Sequence, residues 1–260
     1  MFSGSVPDID SEVYDMNICV FGDSITKGVV YDEEKGKYVF SSSSFLDIIS
    51  RDLGVTVKNF ARFGSTTEKG EMILDKHLEE VSDYDYTLLE FGGNDCDLDW
   101  KAASENPDQP QTGQIGTEDF VDNYVRMINK VKEHGGRPLI MTLPPLEPHK
   151  FFEWVTKDLD KFNVMTFLKN DKTNIYRWQE EYSDLIFEIG DRTDTPVIDI
   201  RRAFLESSSY GDMISLDGMH PNEEGHKAIA GFLEDEWLDL AKRATNIIDW
   251  SELLPLEFAC

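Results

Sequence analysis

Asn17-Ile18-Cys19-Val20-Phe21-Gly22-Asp23-Ser24-Ile25-Thr26 is an apolar run that breaks on a glycine and delivers a serine two residues later. A short run without polar alternation reads as a strand buried on both faces, the pattern of a parallel sheet. Comparable runs recur at Val55 to Asn59, Tyr86 to Phe91, Pro138 to Leu143 and Val197 to Ile200. Between them, Phe45, Leu46, Ile48, Ile49 and Leu53 repeat at helical spacing, as do Phe120, Tyr124, Met127, Ile128 and Val131, and each set predicts a core-facing stripe. The alternation predicts an α/β fold, a parallel sheet wrapped by helices. A last helix is predicted from near Glu223, with Pro221 and Asn222 as turn and cap and with Ala228, Ile229, Phe232 and Leu233 facing inward.

Two segments exceed what such a fold needs for connection: 97–119, rich in Pro, Gln and Asp, and 144–194, rich in aromatics. Long insertions at strand ends build the rims of sites. In the second, and at Trp100 in the first, Phe151, Phe152, Trp154, Phe162, Phe167, Tyr176, Trp178 and Tyr182 can form an apolar or sugar-stacking pocket, a satellite core, or the contact of a homodimer.

The 260 residues suit one large α/β domain, and 40% hydrophobic with 29% charged residues is ordinary for a globular protein. The charge is not ordinary: 25 Lys+Arg against 51 Asp+Glu leave −26. Such a surface repels phosphate backbones and anionic bilayers, so neither nucleic acid nor membrane is expected as a partner, and a neutral small-molecule or saccharide substrate is. No apolar run approaches the roughly 20 residues of a bilayer span, and Met1 to Asp15 carries no basic and apolar leader pattern; a cytoplasmic location is expected. Cys19, Cys96 and Cys260 have neither disulfide nor metal spacing.

Ser24 falls just past the end of the first predicted strand, the edge where open parallel sheets bind ligands. Thr26 stands where the Gly-x-Ser-x-Gly elbow requires glycine, so that elbow is absent. A serine hydroxyl needs a base, and of the five histidines His220 has the right company: in Asp217-Gly218-Met219-His220-Pro221 an aspartate three residues earlier can hold the ring. His77, His134, His149 and His226 read as surface or packing residues. Developing negative charge on an acyl oxygen needs donors, and two loops offer them: Asn59-Phe60-Ala61-Arg62-Phe63-Gly64 through the Gly64 N–H, and Phe91-Gly92-Gly93-Asn94 through the Asn94 amide, with the Ser24 N–H as a third. The plain alternatives are Ser24 as a helix N-cap, Asn94 as a satisfied loop amide, and Asp217 with His220 as a turn onto the last helix. Asp95, Asp97 and Asp99 lack the glycine and distal glutamate of a calcium loop and read as solvated carboxylates.

These residues, in this order, resemble the GDSL, or SGNH, hydrolase family. Gly22-Asp23-Ser24-Ile25-Thr26 is similar to its first block, Gly64 after Asn59 and Ala61 to its second, and Gly92-Gly93-Asn94-Asp95 to its third. Asp217-Gly218-Met219-His220-Pro221, continued by Asn222, Gly225 and Ala230, is similar to its fifth. The resemblance runs from about Met16 to Leu240, which leaves 1–15 and 241–260 as extensions of a 16–240 domain. It implies a flavodoxin-like three-layer α/β/α sandwich with a five-stranded parallel sheet. It also implies Ser24 as nucleophile, His220 as general base and acid, Asp217 as its orienter, and Ser24, Gly64 and Asn94 as oxyanion donors, with no metal or organic cofactor.

The expected activity is hydrolysis of an ester through an acyl-enzyme, favouring acetyl esters and acetylated saccharides. A lysophospholipase, thioesterase or lipase of the same family, or a catalytically silent ligand-binding member, is the alternative. Hydrolysis should slow at acidic pH as His220 becomes protonated.

Overall fold

A computed structural model of the chain describes residues 16–248. The described residues begin with β1 (Asn17–Gly22), make a hairpin of β2 (Val29–Asp32) and β3 (Lys37–Phe40), and continue through α1 (Phe45–Leu53), β4 (Thr56–Asn59), α2 (Thr67–Leu74) and β5 (Tyr86–Glu90). Then follow α3 (Trp100–Glu105), α4 (Thr117–Glu133), β6 (Pro138–Met141), α5 (Pro148–Val155), α6 (Lys161–Phe167), α7 (Thr173–Thr193), β7 (Val197–Ile198), α8 (Arg201–Leu205) and α9 (Glu223–Ile248). Five strands form one parallel sheet in the order β4-β1-β5-β6-β7. This is the three-layer α/β/α sandwich that the resemblance implied.

Successive side chains of a strand point to opposite faces, and here both faces are covered. Ile18 and Val20 of β1 pack with Phe45, Ile49, Ile229 and Leu233 of α1 and α9. Cys19 and Phe21 pack the other way, with Leu74, Phe120, Tyr124 and Ile186 of α2, α4 and α7. That two-sided burial is why the first run shows no polar alternation. Helix α1 starts where its sequence says it should: Ser44 Oγ accepts the Asp47 N–H at 3.2 Å and Asp47 accepts the Ser44 N–H at 3.2 Å, a reciprocal cap.

Three features depart from the expectation. The β2–β3 hairpin, antiparallel and separate from the main sheet, was not foreseen. The aromatic segment 144–194 is not wholly an insertion, because its second half is α7, the crossover helix between β6 and β7 that packs on α4 through Tyr182, Ile186 and Ile189. Its first half builds a third core of its own from Leu146, Phe151, Phe152, Val164, Leu168 and Ile175. Finally, α9 runs through Leu240, so the expected boundary there falls inside a helix. The expected extension 1–15 lies outside the described residues. Among the described residues, no helix is long and apolar enough to cross a membrane.

Candidate active site

The turn that carries Ser24 is fixed by what cannot fit. A Cβ on Gly22 would lie 2.1 Å from Thr26 Oγ1 and 2.7 Å from the Glu90 carbonyl oxygen, so only glycine lets β1 end against β5. The chain then doubles back: Asp23 Oδ1 accepts the Ile25 N–H at 2.8 Å, and the Lys27 and Val29 N–H groups donate to the carbonyls of Asp23 and Ser24 at 3.0 and 2.9 Å. The turn leads into β2, not into a helix, which removes the N-cap reading of Ser24. Ser24 is 5% exposed, and its N–H donates to no acceptor among the described residues.

The turn after α8 brings the base. His220 Nε2 lies 2.9 Å from Ser24 Oγ, and His220 Nδ1 lies 2.6 Å from Asp217 Oδ2. A carboxylate on Nδ1 holds the proton there, so Nε2 is left to accept from the serine hydroxyl. Asp217 Oδ1 accepts the Met219 and His220 N–H groups, both at 3.0 Å, which explains the three-residue spacing: the carboxylate caps its own turn while it holds the ring. Burial pushes the Asp217 carboxyl up, but the hydrogen bond and charge of His220 and the two N–H donors outweigh it and leave it below the ordinary value.

Gly64 has φ +69, in the left-handed region, while a Cβ there would meet nothing within 4 Å; the glycine serves the turn, not a tight fit. Its N–H, like that of Ser24, is free of acceptors among the described residues. Asn94 differs. Its Nδ2 donates to Asp23 Oδ2 at 2.9 Å and to the Ser65 carbonyl at 3.0 Å, so both amide hydrogens are engaged. The satisfied-amide reading and the donor reading therefore meet in one side chain, which must release the Ser65 carbonyl to serve an oxyanion.

Of the acidic run after Asn94, Asp95 is buried and Asp97 half-buried, contrary to expectation, while Asp99 is exposed, as expected. Asp95 is buried, accepts the Thr67 N–H at 2.9 Å and the Thr67 hydroxyl at 2.5 Å, and is pushed up by burial to about 6. Asp97 accepts the Leu98 N–H and Trp100 Nε1, each at 3.0 Å, and Asp99 caps α3 through the Ala102 N–H. Asp95 thus fastens one loop to another, while Asp97 and Asp99 brace their own turn and helix start. Among the other histidines, His226 is buried between α9 and α1, accepting the Phe45 N–H at 3.3 Å, and His77 stacks on Phe60 at 4.0 Å.

Two apolar surfaces adjoin the triad. One is a cavity of about 810 Å³ lined mostly by apolar residues, among them Ile25, Leu98, Trp100, Leu143, Phe151 and Met219, with Asp97, Lys169, Arg177 and Glu181 also in its wall; with Ile25, Gly93 and Met219 it reaches the immediate neighbours of Ser24, Asn94 and His220. The other is a wall of rings that does not line the cavity: Tyr38 lies 5.0 Å from the His220 ring, Phe63 lies 6.2 Å away and parallel to within 9°, and Trp154 lies edge-on to Tyr31 at 4.8 Å. The aromatic residues of the long segments thus divide. Trp100, Phe151, Phe167 and Trp178 line the cavity, Phe152 and Tyr182 fill cores, Trp154 joins the wall, Tyr176 packs on Arg201, and Phe162 stays 78% exposed. Sequence reading missed Tyr38, although Val29-Val30-Tyr31 and Lys37-Tyr38-Val39 around Gly36 carry a hairpin signal.

The chain is similar to known proteins in its fold. The solved structures it resembles include the lipase/acylhydrolase from Enterococcus faecalis, at 21% identity and a TM-score of 0.58 over 86% of this chain and 96% of that one. They also include TesA, at 16% identity and 0.58 over 87% and 99%. A variant of Axe2, an acetyl-xylooligosaccharide esterase from Geobacillus Stearmophilus, matches at 18% identity and 0.55 over 86% and 94%. Among curated proteins, the uncharacterized lipoprotein YqeF of Bacillus subtilis (strain 168) is 22% identical over 233 residues, covering 84% of this chain and 88% of its own. With the model of the GDSL-like lipase/acylhydrolase family matching residues 20–228, the chain belongs to that family.

Proposed function

We propose that this protein is a serine carboxylic ester hydrolase. The observation that carries the reading is the unbroken chain from Ser24 Oγ to His220 to Asp217, at 2.9 and 2.6 Å. His220 takes the Ser24 proton as Oγ attacks the ester carbonyl, and the Ser24 and Gly64 N–H groups receive the oxyanion. The Asn94 amide joins them by leaving the Ser65 carbonyl. His220 then protonates the departing alkoxide, and water repeats the cycle on the acyl-enzyme.

The apolar cavity favours an ester with a larger apolar group than acetate, because its volume is in the range that encloses a drug-sized ligand. Each buried methylene is worth up to about 0.8 kcal/mol, or nearly fourfold in rate. A second reading, removal of acetyl groups from saccharides, draws on the wall of Tyr38 and Phe63, the latter 55% exposed beside His220. A p-nitrophenyl ester series from acetate to palmitate separates them. An optimum at medium chain length, with kcat/KM roughly 100-fold above acetate, is expected. An optimum at acetate, with turnover of acetylated xylo-oligosaccharides, supports the second reading instead. Ser24→Ala should lose at least ~1,000-fold in kcat on every substrate. Folded wild-type protein with no activity on any chain length would sink both readings.

A further inference from the structure

Glu90 ends β5 in register with Gly22 of β1, beneath the nucleophile turn. The residue is 0% exposed although it borders the cavity, and neither carboxyl oxygen makes a hydrogen bond of ordinary geometry, the Thr26 N–H and hydroxyl being the donors that approach it. An ionised carboxylate in that condition carries a large desolvation penalty with little to offset it. The charged group it faces is another buried carboxyl, that of Asp23, which follows Gly22, the residue paired with Glu90 across the two strands. No Lys or Arg acts on either. The other charged or titratable groups around them are His220, Asp95 and the Cys96 thiol, which bear on Asp23, and Tyr124, whose hydroxyl is engaged with the Phe91 backbone. Thr26 is the polar neighbour.

Two carboxyls in contact and out of water cannot both ionise, and the donors decide which one keeps the proton. Asp23 already accepts the Ile25 N–H on Oδ1 and the Asn94 amide on Oδ2, so it is the better anion; Glu90 has only the looser approach of the Thr26 N–H and hydroxyl. We propose that Glu90 is a neutral carboxylic acid whose O–H donates to Asp23, and that this bond makes it a positioning residue for the Asn94 amide. Burial and the Asp23 charge both push Glu90 well above its ordinary value, in keeping with that assignment. The sequence Glu90 O–H to Asp23 to Asn94 is a relay of fixed dipoles. It holds the Asn94 amide beside the oxyanion site without adding a second negative charge where negative charge must develop.

The positioning role rests on the ester-hydrolase reading; the protonation state does not, and the two are tested separately. Infrared difference spectra of the wild type at neutral pH should contain the C=O stretch of a protonated carboxylic acid that Glu90→Gln removes. If that variant removes no such band, Glu90 is ionised and the proposal is overturned, whatever the enzyme turns over. In kinetics, Glu90→Gln keeps an N–H toward Asp23 and should retain kcat within about threefold, since one hydrogen bond replaces another. Glu90→Met, which cannot donate, should lose ~10- to 100-fold in kcat with little change in KM, less than outright loss of an oxyanion donor. The wild type should lose kcat on the alkaline side as Glu90 ionises, and Glu90→Gln should not. Wild-type kcat in Glu90→Met, or an alkaline limb that persists unchanged in Glu90→Gln, overturns the positioning role. If Glu90→Met does not fold, the infrared band and the alkaline limb still decide. A band with no ester hydrolysis on any substrate would refute the function proposed above and leave the carboxyl pair standing.

Discussion

Asn94 and Asp217 show how far single residues can be read before their partners are seen. Asp217 and His220 are three positions apart, and the turn that joins them is local, so their pairing is visible in the sequence. Asn94 meets Asp23 across 71 positions, and Asp95 meets Thr67 across 28; nothing in the neighbouring residues announces either bond. That is why Asp95 reads as a solvated carboxylate and proves to be buried, and why Glu90, inside an apolar strand, goes unnoticed. Asp217→Asn should keep the fold but weaken the hold on the imidazole, with kcat falling by about 1,000- to 10,000-fold. A loss under tenfold, measured on the best p-nitrophenyl ester, would remove Asp217 from the triad. Gly22→Ala sets a methyl 2.7 Å from the Glu90 carbonyl oxygen and should lower stability by more than about 3 kcal/mol in denaturant unfolding.

At the scale of elements, the strands and the helices α1, α4 and α9 were legible because their periodicity is undiluted. Helix α7 was not, since Tyr176, Trp178 and Tyr182 made its sequence look like part of a pocket, and only Ile175, Tyr182, Ile186 and Ile189 on one face disclose the helix. The hairpin was hidden by shortness, four residues a strand. Its position beside the base is held by Trp154 of α5, which meets Tyr31 at 4.8 Å and Tyr38 at 6.3 Å. Aromatic pairs contribute about 0.5–1.5 kcal/mol each, so Trp154→Ala should weaken kcat/KM by roughly 10-fold. The chain-length optimum should stay where it was, because Trp154 does not line the cavity. A shifted optimum in the p-nitrophenyl series would mean that the wall and the cavity form one surface.

Over the whole molecule, the −26 net charge and most of the buried acids point the same way. Burial pushes Asp23 and Asp95 up to about 6, so each binds its proton more tightly folded than unfolded. Their contribution favours folding below the unfolded carboxylate value near 4 and is lost as pH rises to about 6. His226 opposes them: burial pushes it down to about 4, and it favours unfolding as pH falls from about 6.5. Glu90 and Asp97, also raised, add to the first side, and Asp217, held below its ordinary value, joins His226 on the other; the raised acids, together with relief of self-repulsion, should make Tm at pH 5 at least as high as at pH 8. Adding about 0.5 M sodium chloride at pH 8 should raise Tm by screening. A Tm that falls steadily from pH 8 to pH 5 would contradict this balance.

The segment that walls the cavity also touches the catalytic turn. The Glu147 N–H donates to the Gly218 carbonyl at 2.9 Å, and Lys150 Nζ reaches the carbonyls of Gly211 and Ile214 at 2.8 and 2.7 Å. A lineage or an engineer that exchanges this segment to admit a different substrate must therefore also re-seat the turn that carries His220. In this scaffold, what the enzyme accepts and how fast it turns over are inherited together.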